Sequence, residues 1–394
     1  MNAPVAIVGV YETEQARRLP HRRTIDLLLE AAKGALADAG FTAADVDGVI
    51  ARWPGPGGAE FPAEAVDRMP QTSADWVKQL GIRASFVDDT DYSGPIALQH
   101  AYAAIASGQC HTVLIVSGQV GVVPAPGAAV VSYTRAPNEF VEVWGTTTPV
   151  EFALLAQRHM YLFGTTVEQI AEVSSAVRTS GATNPNAVMF GKGPVTVEDV
   201  LSSREVCSPL RLFDLSIVSE GAAAMVVSNR LGALAAPPVF VRGVAAEYSG
   251  SPYVDAPVYE HLRDLGAAAA DRAFRQAGLE RADIDVFSLY DATSFEVIRQ
   301  FEMLGYCAEG EGGAFVSDGR IRLGGSHPTN LDGGLLSHAH LGHAQMTLKL
   351  KEGVDQLRGR CGVRQVAGAQ HALVTVAGGP ARFYGVAVLS STAN

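Results

Sequence analysis

One stretch of this 394-residue chain occurs twice. LLLEAAKGALADAGFTAADVD (27–47) and LGAAAADRAFRQAGLERADID (265–285) align at a constant offset of 238. Leu27 falls on Leu265, and Ala31, Ala32 and Ala35 fall on Ala269, Ala270 and Ala273. Ala39-Gly40 meets Ala277-Gly278, and Ala44-Asp45 meets Ala282-Asp283. Small residues at i, i+4 and i+8 make a helix face that lies close on a sheet. The glycine after each helix reads as a C-cap. Each copy then enters a β-branched run, VDGVIA (46–51) or IDVFSLY (284–290). A match that keeps helix, cap, turn and strand in order argues for an internal duplication.

The likeness continues in HTVLIVSG (111–118) and HALVTVAG (371–378), each after a long helix expected near 93–107 and 344–358. Alternating strands and helices with buried strands predict an α/β fold with a mostly parallel sheet covered on both faces. Residues 1–119 and 208–235 form the first half and 236–394 the second. Between them, 120–207 breaks the pattern. It is rich in Pro, Gly and polar residues, with helices expected near 149–162 and 166–179, and reads as an inserted lid or binding region.

Composition narrows the function. With 47% hydrophobic and 18% charged residues the chain can build a large core. Its net charge of −11 has no basic block, which argues against nucleic acid as a partner. The opening MNAPVAIVGVYETEQARRLP lacks a basic leader and is expected to be a buried first strand rather than a signal peptide. No apolar run reaches the roughly 18 residues of a membrane span. Cys110, Cys207, Cys307 and Cys361 are scattered, without a C-x-x-C pair, so a reduced cytoplasm is expected.

Four segments together resemble the thiolase superfamily, in its sterol-carrier-protein-like thiolase branch. SPLRLFDLSIVSEGAAAMVVS (208–228) is similar to that branch's P-L-x-x-x-D and S-D-G-A-A-A segment. LYDATSFEVI (289–298) resembles H-D-x-F, NLDGGLLSHAHLGHA (330–344) resembles N-x-x-G-G-x-x-x-x-G-H-P, and VTVAGG (374–379) resembles C-x-G-G. The likeness runs through nearly the whole chain. It implies duplicated βαβ halves in a layered α-β-α-β-α architecture with an inserted loop domain. It also implies a two-fold homodimer in which ASFVDD (84–89) pairs across the axis, since that strand would otherwise be an open edge.

The departures carry more information. Thiolases place a nucleophilic cysteine in a C-x-x-G context at the start of the long helix of the first half. A helix N-terminus favours thiolate, which is why cysteine belongs there. This chain has Asp91-Tyr92-Ser93-Gly94 instead. The second cysteine, of C-x-G-G, is Ala377; the His of H-D-x-F is Tyr290; and G-H-P keeps only its histidine, as His340 before Leu341. Thiolysis through an acyl-enzyme therefore has no nucleophile. A retro-aldol cleavage needs none. It needs a base for a β-hydroxyl proton, donors where enolate charge develops on a thioester oxygen, and an acid for the carbon.

The pattern resembles thiolase-like aldolases that cut side chains from steroid-CoA thioesters together with a small OB-fold, DUF35-type partner. The resemblance implies Tyr290 and His340 as catalytic residues, with Tyr92 and Asp91 beside them. Asp291, Gly333, Gly334, His338, Gly378 and Gly379 are expected to line the substrate. No cofactor is expected in this chain; coenzyme A enters as part of the acyl-CoA substrate, and zinc belongs only to the partner.

Other readings of these residues stand beside the functional ones. The spacing of His338, His340 and His343 also fits a zinc site, but no carboxylate or cysteine cluster accompanies it. His338 and His343 read as loop or interface residues. Asp91 reads equally as an N-cap, Asp332 as a turn former, and the paired glycines as turn makers. Trp53, Pro54, Phe61 and Trp76, in the 52–80 insert, are expected to help shape the acyl pocket. Two functions compete with the lyase: an acyl-CoA or lipid carrier that lost its chemistry, and a C-acyltransferase subunit whose cysteine comes from another chain.

Overall fold

The computed structural model describes residues 4–52, 72–89, 94–120, 148–250, 256–341, 344–378 and 382–393. Asp91, Tyr92, His343, Gly379, Trp53, Pro54 and Phe61 lie outside the described residues. The strands are β1 (Ala6–Glu12), β2 (Gly48–Arg52), β3 (Phe86–Asp88), β4 (Thr112–Gln119), β5 (Glu205–Cys207), β6 (Leu210–Arg211), β7 (Gly221–Ser228), β8 (Val239–Tyr248), β9 (Val286–Ser288), β10 (His371–Gly378) and β11 (Phe383–Ser390). The longer helices are α1 (Thr24–Ala39), α2 (Ser73–Leu80), α3 (Pro95–Ala106), α4 (Thr148–Phe163), α5 (Val167–Gly181), α6 (Val197–Ser202), α7 (Ala267–Ala277), α8 (Ser294–Met303) and α9 (Ala344–Leu357).

Nine strands form one sheet in the order β3-β2-β4-β7-β1-β8-β11-β10-β9. The order reads as two copies of one unit placed back to back, with β1 matching β8, β7 matching β11, β4 matching β10 and β2 matching β9. Where β3 stands in the first copy, Thr329 bridges Phe287 in parallel in the second. The halves meet at β1 and β8 through two residue pairs, Ala6 with Phe240 and Ile7 with Val239.

The expected mostly parallel sheet is corrected here to a mixed one. β2 runs parallel to β3 and β4, and β9 to β10, but β7 and β11 enter antiparallel. For β11 the reason is connection length. β10 and β11 are joined by four residues, too few for the crossover a parallel pair requires.

The helices supply the layers. α1 covers β1, β7 and β4, and α7 covers β8 and β11. α3 touches β4 and β7 of the first half and β8 and β11 of the second; α9 likewise reaches strands of both halves. These two therefore fill the middle, where Leu98, Ala101, Ile115, Val227, Leu350 and Val374 are buried in one cluster. Trp76 of α2 is buried in the outer core of the first half.

The duplication is exact enough to repeat a local device. β1 and β8 each bulge by one residue, at Val8 and Arg242. The glycine that follows lets a helix backbone come close. A Cβ at Gly9 would lie 2.0 Å from the Ala35 carbonyl oxygen, and one at Gly243 would lie 1.9 Å from that of Ala273. The bulge frees one N–H, which cannot stay unpaired in the interior. Asp38 accepts from Val10 N–H at 2.9 Å, and Gln276, 238 positions later, accepts from Val244 N–H at 2.9 Å. Both helices end at an αL glycine, Gly40 (φ 76°) and Gly278 (φ 66°).

Candidate active site

Residues 289–292 leave the end of β9 and are held from several directions. Leu289 N–H donates to Asn330 Oδ1 at 2.8 Å. Tyr290 N–H donates to Thr375 Oγ1 at 3.0 Å, and Gln300 Nε2 donates to the Tyr290 carbonyl at 2.5 Å. Thr375 in turn donates to Gln300 Oε1 at 2.5 Å, so one side-chain pair fixes both faces of the Tyr290 backbone. Ser216 N–H donates to the Ala292 carbonyl at 3.1 Å. Tyr290 itself is 4% exposed.

Asp291 is completely buried and anchors the turn that follows Gly334. Its carboxylate accepts Leu335 N–H at 3.0 and 3.1 Å and pairs with the buried Lys349 ammonium at 2.7 Å. Burial pushes its carboxyl above the usual range, and the Lys349 charge offsets only part of that. The Gly333-Gly334 pair makes a turn. Gly333 has φ 103° and Gly334 φ 52°, and a Cβ at Gly334 would strike Asp291 Oδ2 at 2.0 Å. A Cβ at Gly333 would meet Gly181 of α5 at 2.6 Å. The neighbours of both glycines are therefore protein atoms.

A π-helical turn, Gly334–His338, then carries the chain to His340. His340 lies in a parallel bridge with Val218. Its N–H donates to Ser219 Oγ at 2.8 Å, its carbonyl accepts Ser219 N–H at 3.0 Å, and its Nδ1 lies 2.7 Å from Ser216 Oγ. The 213–217 strip is fixed by Arg178 of α5, whose guanidinium donates to the Phe213 and Leu215 carbonyls at 2.8 and 3.0 Å. Ser216 thus joins the two expected catalytic segments, with its N–H on Ala292 and its hydroxyl on His340.

Gly94 (φ 64°), just before α3, abuts Met346 of α9, so the two middle helices begin side by side. Ile96, Met346, Val376 and Phe383 form a small buried cluster that joins those helix starts to the end of β10. Gly378 sits opposite the Phe383 ring, where a Cβ would come within 2.1 Å.

His338 points elsewhere, with both ring nitrogens on carboxylates: Nδ1 to Asp332 at 2.9 Å and Nε2 to Glu12 at 2.8 Å. Burial alone would lower its pKa, but the two carboxylates outweigh burial and lift it to about 9. Burial would raise the Glu12 carboxyl, yet Lys351, 3.0 Å away, and His338 bring it down to about 2. This network borders a charged cavity of about 330 Å³ that also includes Lys351, Glu352 and Arg364. Asp332 closes its turn onto Gly334 N–H at 2.9 Å, as expected, and orients His338 as well. Among the described residues, no three His, Cys, Asp or Glu side chains gather where they could hold a metal ion.

None of the four thiols is activated. Burial pushes Cys110 and Cys307 up to about 12, and pushes Cys207 and Cys361 upward as well. None belongs to the cluster at the helix starts.

A family model described as "Thiolase C-terminal domain-like" matches residues 261–391, most of the second half. An acetyl-CoA acetyltransferase of Methanothermobacter thermautotrophicus is 35% identical over 95% of this chain and 96% of its own. A 17-hydroxy-3-oxo-4-pregnene-20-carboxyl-CoA lyase of Mycobacterium tuberculosis is 33% identical over 96% of this chain and 97% of its own.

The chain belongs to the thiolase superfamily.

Among solved thiolase-superfamily structures, an Ltp2-ChsH2(DUF35) aldolase superposes with a TM-score of 0.82 at 27% identity, covering 99% of this chain and 98% of that one. The similarity to an acetyltransferase and to a lyase is nearly equal.

Ser216, Thr375, Gln300 and Lys349 escaped the sequence reading. Ser216 lies inside the SIVSEG stretch that resembles the thiolase segment, but its partner is 124 positions away.

Proposed function

We propose that this chain is a carbon–carbon lyase that cleaves a β-hydroxyacyl-CoA by a retro-aldol reaction, with a steroid side-chain thioester as substrate. The observation that carries this is the state of the thiols: all four are shifted away from thiolate, in a chain 33% identical to a steroid-CoA lyase. A base takes the β-hydroxyl proton, the new carbonyl forms as the C–C bond breaks, and the electron pair passes into the thioester enolate. Donors stabilise that oxyanion until the α-carbon is protonated. Tyr290 and His340 are the groups proposed for these transfers, with Asp91 and Tyr92, which precede α3 in the sequence, proposed to assist them.

The DUF35 component named in the aldolase structure supports a DUF35-type partner for this chain. β3 is an end strand of the sheet and its Val87 is 46% exposed, which supports a homodimer built on that edge and, with two partner chains, a heterotetramer. The scattered, unpaired cysteines support a cytoplasmic location. Among the described residues, no helix is long and apolar enough to cross a membrane.

The test is direct. The full chain with a DUF35-type partner is given 17-hydroxy-3-oxo-4-pregnene-20-carboxyl-CoA, and a 17-oxosteroid with propionyl-CoA is expected. Tyr290→Phe is expected to lower turnover by about 100-fold or more while the thioester still binds. Binding without product in the wild type would leave a carrier and end the lyase reading.

A further inference from the structure

The ladder between β9 and β10 ends at Ser288, paired with Val374. β10 runs on to Gly378 beside β11, while the chain from β9 leaves the sheet. From that point side chains supply the hydrogen bonds that a neighbouring strand would have supplied. Leu289 N–H goes to Asn330 Oδ1 at 2.8 Å, and Tyr290 N–H goes to Thr375 Oγ1 at 3.0 Å. The Tyr290 carbonyl accepts from Gln300 Nε2 at 2.5 Å. Asn330 meets this demand from φ 50°, a conformation that residues other than glycine seldom adopt.

The direction of each bond around Tyr290 is fixed. Gln300 Nε2 also donates to the Glu296 carbonyl at 3.0 Å, so both amide hydrogens are used. Turning the amide over would set its oxygen against two carbonyl oxygens. Oε1 therefore faces Thr375 and accepts its hydroxyl hydrogen at 2.5 Å, which leaves the Thr375 oxygen to accept Tyr290 N–H. Four groups close a ring: Tyr290 N–H, the Thr375 hydroxyl, the Gln300 amide and the Tyr290 carbonyl. Thr375 and Gln300 are fully buried, so losing one member leaves its partners unpaired in the interior.

We propose that Gln300 and Thr375 are positioning residues that aim Tyr290 in the lyase reaction proposed above, on which this inference rests. Gln300 belongs to α8 and Thr375 to β10, so the ring holds Tyr290 against a helix and a strand at once. Both act through the Tyr290 backbone, from which the phenol is two side-chain torsions away. A proton passes between a β-hydroxyl group and a phenol when their oxygens lie within about 3 Å. A backbone shift of about 1 Å is enough to cost about 100-fold. Thr375→Val keeps the shape of the side chain and removes the hydroxyl, which strands Tyr290 N–H and Gln300 Oε1. Gln300→Met removes the amide at similar length.

The experiment gives the full chain, with its DUF35-type partner, the steroid thioester. Thr375→Val is expected to lose about tenfold or more in kcat at unchanged KM, and Thr375→Ser to recover it. In parallel, the tyrosine rings of the full chain are labelled with ¹³C, and Tyr290 is assigned by the signal lost in Tyr290→Phe. That signal is expected to move in Thr375→Val and in Gln300→Met and to return in Thr375→Ser, while the other tyrosine signals hold their places. An unmoved kcat, a loss that Thr375→Ser does not recover, or a Tyr290 signal left in place by both variants would each overturn the proposal. So would a spectrum that changes at every tyrosine, which would make the pair a support of the whole fold. The spectrum needs no turnover, so a wild type without product overturns the lyase reading alone and leaves the ring of hydrogen bonds to be judged by the Tyr290 signal.

Discussion

Replacing His338 tests the network between Glu12 and Asp332. The imidazolium joins the end of β1, in the first half, to the turn before α9 in the second. Its pKa rises from 6.5 to about 9, and each pH unit corresponds to about 1.36 kcal/mol. The protonated ring therefore contributes about 3 kcal/mol at most. Glu12, lowered against the effect of burial to about 2 by Lys351 and His338, stays ionised throughout this range and adds no slope there. The folded chain holds this proton more tightly than the unfolded chain does. The contribution is complete below about pH 6.5, declines as pH rises and is gone above about 9. In that window the wild type should lose stability at up to about 1.4 kcal/mol per pH unit relative to His338→Gln, which has no such proton. Urea-unfolding midpoints for both proteins at half-unit steps from pH 6 to 9.5 measure the difference. Parallel curves would refute the reasoning.

Three further outcomes are expected. Lys349→Met leaves Asp291 buried without its cation and should cost about 3 kcal/mol in urea unfolding, with much of it restored in the Asp291→Asn double variant; wild-type stability in the single variant would contradict this. Gly9→Ala and Gly243→Ala should each destabilise by about 1–3 kcal/mol, because both Cβ atoms would strike a helix carbonyl; thermal unfolding that moved for one and not the other would contradict the duplicated packing. Iodoacetamide at pH 8 should leave steroid-thioester cleavage unchanged, since no thiol is poised as thiolate; inhibition blocked by substrate would restore a cysteine mechanism.

Much of the scaffold was legible from local pattern. The helices expected at 149–162 and 166–179 are observed at Thr148–Phe163 and Val167–Gly181, and HALVTVAG is a strand over its whole length. Gly40 and Gly278 cap their helices because only a residue without a Cβ enters the αL conformation cheaply. The absence of cysteine from DYSG (91–94) and VTVAGG (374–379) was equally legible, because it depends on residue identity alone.

Tertiary structure decided which polar group answers which. Asp38 and Gln276 share a register position but not a chemistry, and only the two bulges show that both exist to receive a strand N–H. Asp291 pairs with Lys349, and His338 spends both nitrogens on carboxylates from opposite halves. Periodicity specifies which face of an element is buried. Inside, every donor and acceptor must then find a partner within about 3 Å, and that partner is whichever group the packing of distant segments brings there.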